Sequence, residues 1–117
     1  MYEVLCNYDV QVLVKDEPYH LSLKQTIQMP FPPYPGLVID FTKDGEEDPV
    51  ASMFSLNHAY WMVNEQRFEC GCEEDTHIHF GSTEEAKAEF SKYGWKVVAC
   101  HKEQTSTRSR LGPSVRS

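Results

Sequence analysis

No stretch of this 117-residue chain approaches the roughly 18 consecutive apolar residues of a membrane-spanning helix, and mean hydropathy is −0.52. The N-terminus lacks a basic segment followed by an apolar run, so no signal peptide is expected. A cytoplasmic protein with reduced cysteines follows as the expectation. Nucleophile elbow, phosphate-binding loop, dinucleotide fingerprint, HExxH and paired-carboxylate motifs are all missing. Internal repeats are missing too, and the length suits one domain with a modest core. Positive charge is scarce in the body: residues 1–101 carry seven Lys/Arg against seventeen Asp/Glu, a net charge of −10. Such a body repels phosphate backbones, so nucleic acid is not an expected partner, nor is a membrane. A basic protein surface could meet the acidic runs Glu46–Asp48 and Glu73–Asp75, as in inhibitor or immunity-type proteins.

What is present begins with alternation. Every even position from Tyr2 to Val14 is apolar, and between Tyr19 and Met29 the apolar residues move to odd positions. Period-2 patterning of this kind predicts two strands of a long hairpin across Lys15–Pro18. Pairing Val14 with Tyr19, Val12 with Leu21, Val10 with Leu23 and Cys6 with Ile27 puts nearly all apolar residues on one face. Pro30–Gly36 holds four prolines in seven residues and predicts an extended, stiff crossing. Its Phe31 and Tyr34, together with Trp61, are candidate partner-binding residues. Leu37–Phe41 and Val50–Leu56 read as strands; residues 57–64 fit a helix through the spacing of Leu56, Tyr60 and Val63, or a strand through the run Tyr60-Trp-Met-Val63, and the strand is favoured. Ser82-Thr-Glu-Glu85 is a capping box for a helix ending at Gly94. Trp95–Cys100, apolar at both parities, predicts a central strand under that helix. The expected fold is α+β: a mainly antiparallel, strongly curved β-sheet of six or seven strands with one helix near the C-terminus. It occupies residues 1–101, followed by a disordered tail over 102–117.

Cys70, Cys72, His77 and His79 pose the main chemical choice. If Arg67–Cys72 and His77–Phe80 form a hairpin with a four-residue loop, the two thiols face the two imidazoles in a Cys2His2 arrangement suited to zinc. That register sends Ile78 and Phe80 to the face opposite Phe68. A three- or five-residue loop instead gathers Phe68, Cys70, Cys72, Ile78 and Phe80 on one core face. The burial so gained is worth several kcal/mol at roughly 25 cal/mol per Å2, and structural zinc sites more often use Cys-x2-Cys. The reading therefore favours core cysteines and expects no cofactor. Glu69, His77 and His79 then share a polar face, with His58 and Tyr60 nearby. A histidine beside a carboxylate can serve as a general base, so a small His/Glu-dependent hydrolase or isomerase is the alternative. Aromatic strands, a proline arm and long sheet edges point first to a self-associating, non-enzymatic interaction protein, as a homodimer or larger oligomer.

The last residues, Thr105-Ser-Thr-Arg-Ser-Arg-Leu-Gly-Pro-Ser-Val-Arg-Ser117, resemble translated recombination-site sequence at the end of integron gene-cassette products. The resemblance covers about a tenth of the chain and is compositional. It implies an accessory bacterial protein and no particular chemistry.

Overall fold

A computed structural model describes residues 1–43, 45–46 and 52–103. Among these described residues, seven strands and one helix follow in the order β1 (Tyr2–Val14), β2 (Glu17–Met29), β3 (Val38–Asp40), β4 (Met53–Ser55), β5 (His58–Met62), β6 (Arg67–Phe80), α1 (Thr83–Ser91) and β7 (Lys96–Lys102). Five strands make one open sheet in the order β5-β6-β1-β2-β7, and β3 pairs with β4 as a separate ribbon. The chain is thus α+β with a mainly antiparallel sheet; the exception is the β1–β6 pair at its heart, which is parallel.

The alternation of β1 produces the core directly. Val4, Cys6, Tyr8, Val10, Val12 and Val14 are all buried on one face, joined by Leu21, Leu23 and Met29 of β2 and by Cys70, Cys72 and Phe80 of β6. The α1 helix and the β3–β4 ribbon cover this face. Phe90 packs edge-on against Tyr8, while Phe54 and Trp95 close over Tyr8 from the ribbon and from the start of β7. With the buried apolar rows of β1, β2 and β6 on one side of the sheet, α1 and the ribbon make a second layer over them. Ser82 caps α1, accepting from the Glu85 amide at 3.1 Å, and Glu85 reaches back to the Gly81 amide. Gly94, at φ 92°, turns the chain out of the helix.

Three expectations are corrected. The hairpin register slides by two residues: Val14 pairs with Glu17, Val12 with Tyr19 and Val4 with Ile27. The turn is the two-residue Lys15-Asp16, both at positive φ, in place of a four-residue loop. A two-residue slip preserves parity, so every side chain keeps its expected face. Pro18 fits inside β2 because its carbonyl points away from β1, to the Glu103 amide. Its ring nitrogen faces the same way, so the missing N–H takes no bond from a β1 carbonyl.

The second correction concerns Arg67–Phe80. These residues are not a hairpin but one 14-residue strand running parallel to β1. Residues 73–76, expected to be a loop, stay in the sheet because β1 supplies a partner for their backbone. A bulge absorbs the irregularity: four steps of β6, from Asp75 to His79, pass two steps of β1, from Gln11 to Leu13. Thr76 Oγ1 ties the bulge down by donating to the Gln11 carbonyl at 2.8 Å. Since the bulge adds two residues, parity survives, and Phe68, Cys70, Cys72, Ile78 and Phe80 all meet the core.

The third correction is that Trp95–Cys100 is no central strand. β7 lies at the sheet edge and bonds only to β2. Val98 is bulged out, since Ser22 and Leu23 pair with Ala99 and Val97, and it remains 49% exposed. The expected disordered tail over 102–117 and the acidic loop at 46–48 fall largely outside the described residues; Lys102 ends β7, and Glu103 donates its amide to Pro18.

Candidate functional site

The second face of the sheet carries the polar parities of every strand, and among the described residues no helix or strand packs on it. Register places its rows. Asp75, Gln11, His20 and His101 form one; Glu73, Asp9, Ser22 and Ala99 the next; Gly71, Asn7 and Lys24 a third, with His58 at its β5 end. A shallow cleft of about 280 Å3 opens here, lined by Asp9, Gln11, His20, Glu73, Glu74 and Asp75.

His20 sits at the centre of the cleft's contacts. Its Nε2 is 3.3 Å from Ser22 Oγ and 3.4 Å from Asp9 Oδ1, and its Nδ1 is 3.6 Å from Glu103 Oε1. Ser22 Oγ donates to Asp9 at 2.9 Å, and the His101 ring lies 5.1 Å from that of His20. Serine and histidine two apart on a strand share a face, and cross-strand pairing brings the carboxylates alongside. Neither His20 nor His101 stands out in the sequence; only the pairing of β1, β2 and β7 assembles the group. The arrangement can hold and pass a proton. Stabilising an oxyanion is another matter, because Asp9, Glu73, Glu74 and Asp75 surround the cleft with negative charge.

The residues singled out from sequence are separated. Glu69 stands opposite Leu5 of β1 and His79 opposite Leu13, eight residues further along, or about 26 Å at ~3.3 Å per residue. Glu69 accepts instead from the Tyr60 hydroxyl, and His79 lies 3.4 Å from Asp16 beside the hairpin turn. This hydrogen bond first, then desolvation and the Glu69 charge, raise the Tyr60 phenol above its ordinary value. His58 stacks on Tyr60 at 5.8 Å, its imidazole lying over Gly71. Cys70 and Cys72 are buried on the core face, and Cys70 pairs with Cys6, seven residues and about 23 Å along β1 from the position opposite His79. The proposed Cys2His2 set is therefore not brought together. The His77 side chain lies outside the described residues. Among those described, no group of three or more His, Cys, Asp or Glu is placed to hold a metal ion.

A second surface lies on the core face at the far end of the sheet, beyond α1. Tyr2 and Trp61 each meet Phe68 edge-on, with ring centroids 5.7 and 4.9 Å away. Trp61 stays 45% exposed and Val63 68%. Phe31 and Tyr34 are also largely exposed and pack on each other at 6.4 Å. Tyr2 and Phe68, not marked as partner residues by sequence, join Trp61 through the parallel pairing of β1 with β6 and the antiparallel pairing of β6 with β5.

Comparison of the chain with protein-family models, with curated proteins and with solved structures finds no match.

Proposed function

We propose that this is a small non-enzymatic interaction protein that functions as a homodimer, joined edge to edge through β5. The observation that carries this reading is the inequality of the two sheet edges. The β7 edge is blunted by the Val98 bulge and flanked by Lys96 and Lys102, devices that discourage strand addition. The β5 edge, His58-Ala-Tyr-Trp-Met62, has a regular register with β6 and contains no Lys, Arg, Asp or Glu. Two copies meeting antiparallel about Tyr60 would continue the sheet across a twofold axis without opposing like charges, despite a net charge of −7 per chain. Trp61 and Phe68 would supply the apolar anchor. Edges this short bury about 1,000 Å2 in total, at the low end for stable interfaces, so micromolar affinity is expected. In this reading the protein is cytoplasmic. Light scattering on gel-filtered protein tests it: the mass should rise toward twice 13.5 kDa with concentration, and Trp61→Lys should weaken the dimer at least about 30-fold. A strict monomer at high micromolar concentration refutes it.

A second reading, a small hydrolase, rests on Ser22 Oγ and Glu103 lying 3.3 and 3.6 Å from the two ring nitrogens of His20; to act as nucleophile Ser22 would have to turn its hydroxyl proton from Asp9 to His20. It moves the His/Glu pair from His79 and Glu69 to the cleft. Turnover of cationic esters that disappears in both Ser22→Ala and His20→Ala supports it; background rates in the unaltered protein end it.

A further inference from the structure

The parallel register of β1 and β6 sets Cys6 directly beside Cys70. Both are fully buried, and their sulfurs lie 3.6 Å apart. A disulfide needs sulfurs about 2.05 Å apart and Cα atoms ~4.4–6.8 Å apart. Neighbouring strands are separated by about 4.8 Å, so in-register partners fall inside that window. Side-chain rotation needs to close only about 1.5 Å. The other cysteines have no such neighbour: Cys72 pairs with Tyr8 and Cys100 with Leu21. The two thiols share a hydrogen bond, so the first thiolate formed is held by the remaining S–H. This eases ionisation of Cys70 and, with burial, opposes that of Cys6.

We infer that Cys6 and Cys70 are a dithiol–disulfide couple, oxidised by low-molecular-weight disulfides when β1 and β6 part transiently. The Cys70 thiolate attacks one sulfur of the small disulfide RSSR, forming a mixed disulfide and releasing RS−, which takes up the proton Cys70 lost. The Cys6 sulfur then attacks Cys70 Sγ, breaking the mixed disulfide, and its proton leaves with the second RS−. Two protein thiols and RSSR become one intrachain disulfide and two RSH, so two electrons pass from protein to oxidant. Because both sulfurs are buried in the closed sheet, exchange proceeds at the rate of opening. The product covalently ties together the two central strands of the sheet.

The full chain is incubated with oxidised glutathione, alone and in sub-denaturing urea, then returned to buffer. Free thiols should fall from the four of the sequence to two, with the intact mass lower by two hydrogens. Peptide mapping should link Cys6 to Cys70, and urea should accelerate the change. Cys72→Ala and Cys100→Ala should keep the link, while Cys6→Ala and Cys70→Ala should lose it. Four thiols remaining in both conditions, a glutathione adduct that persists on Cys6 or Cys70, or a link through Cys72 or Cys100 would each overturn the assignment.

Discussion

The Tyr8 hydroxyl donates to Glu74 Oε1 at 2.5 Å, two side chains brought onto one face by the parallel run of β1 beside β6. The ring is 4% exposed, wedged among Phe54, Phe90 and Trp95, while its oxygen reaches the rim where Glu74 is solvated. Tyr8→Phe keeps the packing and frees a carboxylate that can turn to water. The expected cost at neutral pH is about 1 kcal/mol, read from urea unfolding. Burial, then the Glu74 hydrogen bond and charge, push the phenol well above its usual range. A raised folded pKa gives stability that is complete below the unfolded value near 10 and declines as pH rises past it. Tyr8→Phe should therefore lose less stability than the unaltered protein between pH 10 and 12.

Cys72 opens an earlier alkaline window. Burial first, and the Glu74 charge second, push its thiol up from 9.0 to about 11. The folded state resists ionisation, so the stability contribution is intact below pH 9 and lost as pH climbs through about 11. Roughly 2 kcal/mol is at stake across that interval. Cys72→Ala should make the decline between pH 9 and 10 shallower, where Tyr8 is not yet involved; the part that remains comes from Cys6, whose ionisation the folded state also opposes. Urea midpoints at half-unit intervals of pH decide it, and an equally steep decline in the variant would contradict the assignment.

Local pattern carried most of the strands and little of the site. The alternation of Val4 to Val14 sufficed for β1 and its face, but no residue in Lys15-Asp16 announces a two-residue turn. The register was therefore recoverable only modulo two. Glu73-Glu-Asp75 looks like loop by composition; it is strand because β1, more than 60 residues earlier, lies beside it. Propensity has no access to such a partner. The same gap hid the cleft, since Asp9, the His20–Ser22 pair and Glu103 belong to three separate segments. Trp95–Cys100 misled in the opposite sense: apolar at both parities, it sits at an edge, where the Val98 bulge places one side chain in solvent.

Gly71 is where the open face allows the least room. A Cβ there would stand 2.5 Å from His58 Cε1 and 3.2 Å from the Asn7 carbonyl oxygen. The imidazole end is free to swing, at the loss of its stack on Tyr60. Against that loss, alanine restricts the unfolded chain, worth about 0.5–1 kcal/mol. Gly71→Ala should therefore change stability by less than about 1 kcal/mol, and His58→Ala combined with it should be more stable than His58→Ala alone. A double-mutant cycle by urea unfolding measures this. A cost above about 2 kcal/mol that persists without His58 would show that the Asn7 carbonyl, not the ring, sets the limit.

The β1–β2 turn offers the clearest stabilisation. Lys15 and Asp16 occupy φ of 51° and 67°, the left-handed conformation that a two-residue hairpin of matching twist demands at both positions. Lysine pays for that conformation with a Cβ clash, whereas asparagine tolerates it and glycine adopts it freely. The Lys15 amide donates to the Phe80 carbonyl, a bond any non-proline residue retains. Asp16 lies 3.4 Å from His79 Nδ1, but the side chains are 88% and 61% exposed, so losing the pair costs little. Lys15→Asn with Asp16→Gly should raise stability by about 1–2 kcal/mol, seen as a higher urea midpoint with unchanged slope. Asp16→Val, which places a β-branched residue at positive φ, should lower it by at least about 1 kcal/mol. If Asn-Gly instead destabilises the protein, the turn is longer than two residues and Val14 does not pair with Glu17.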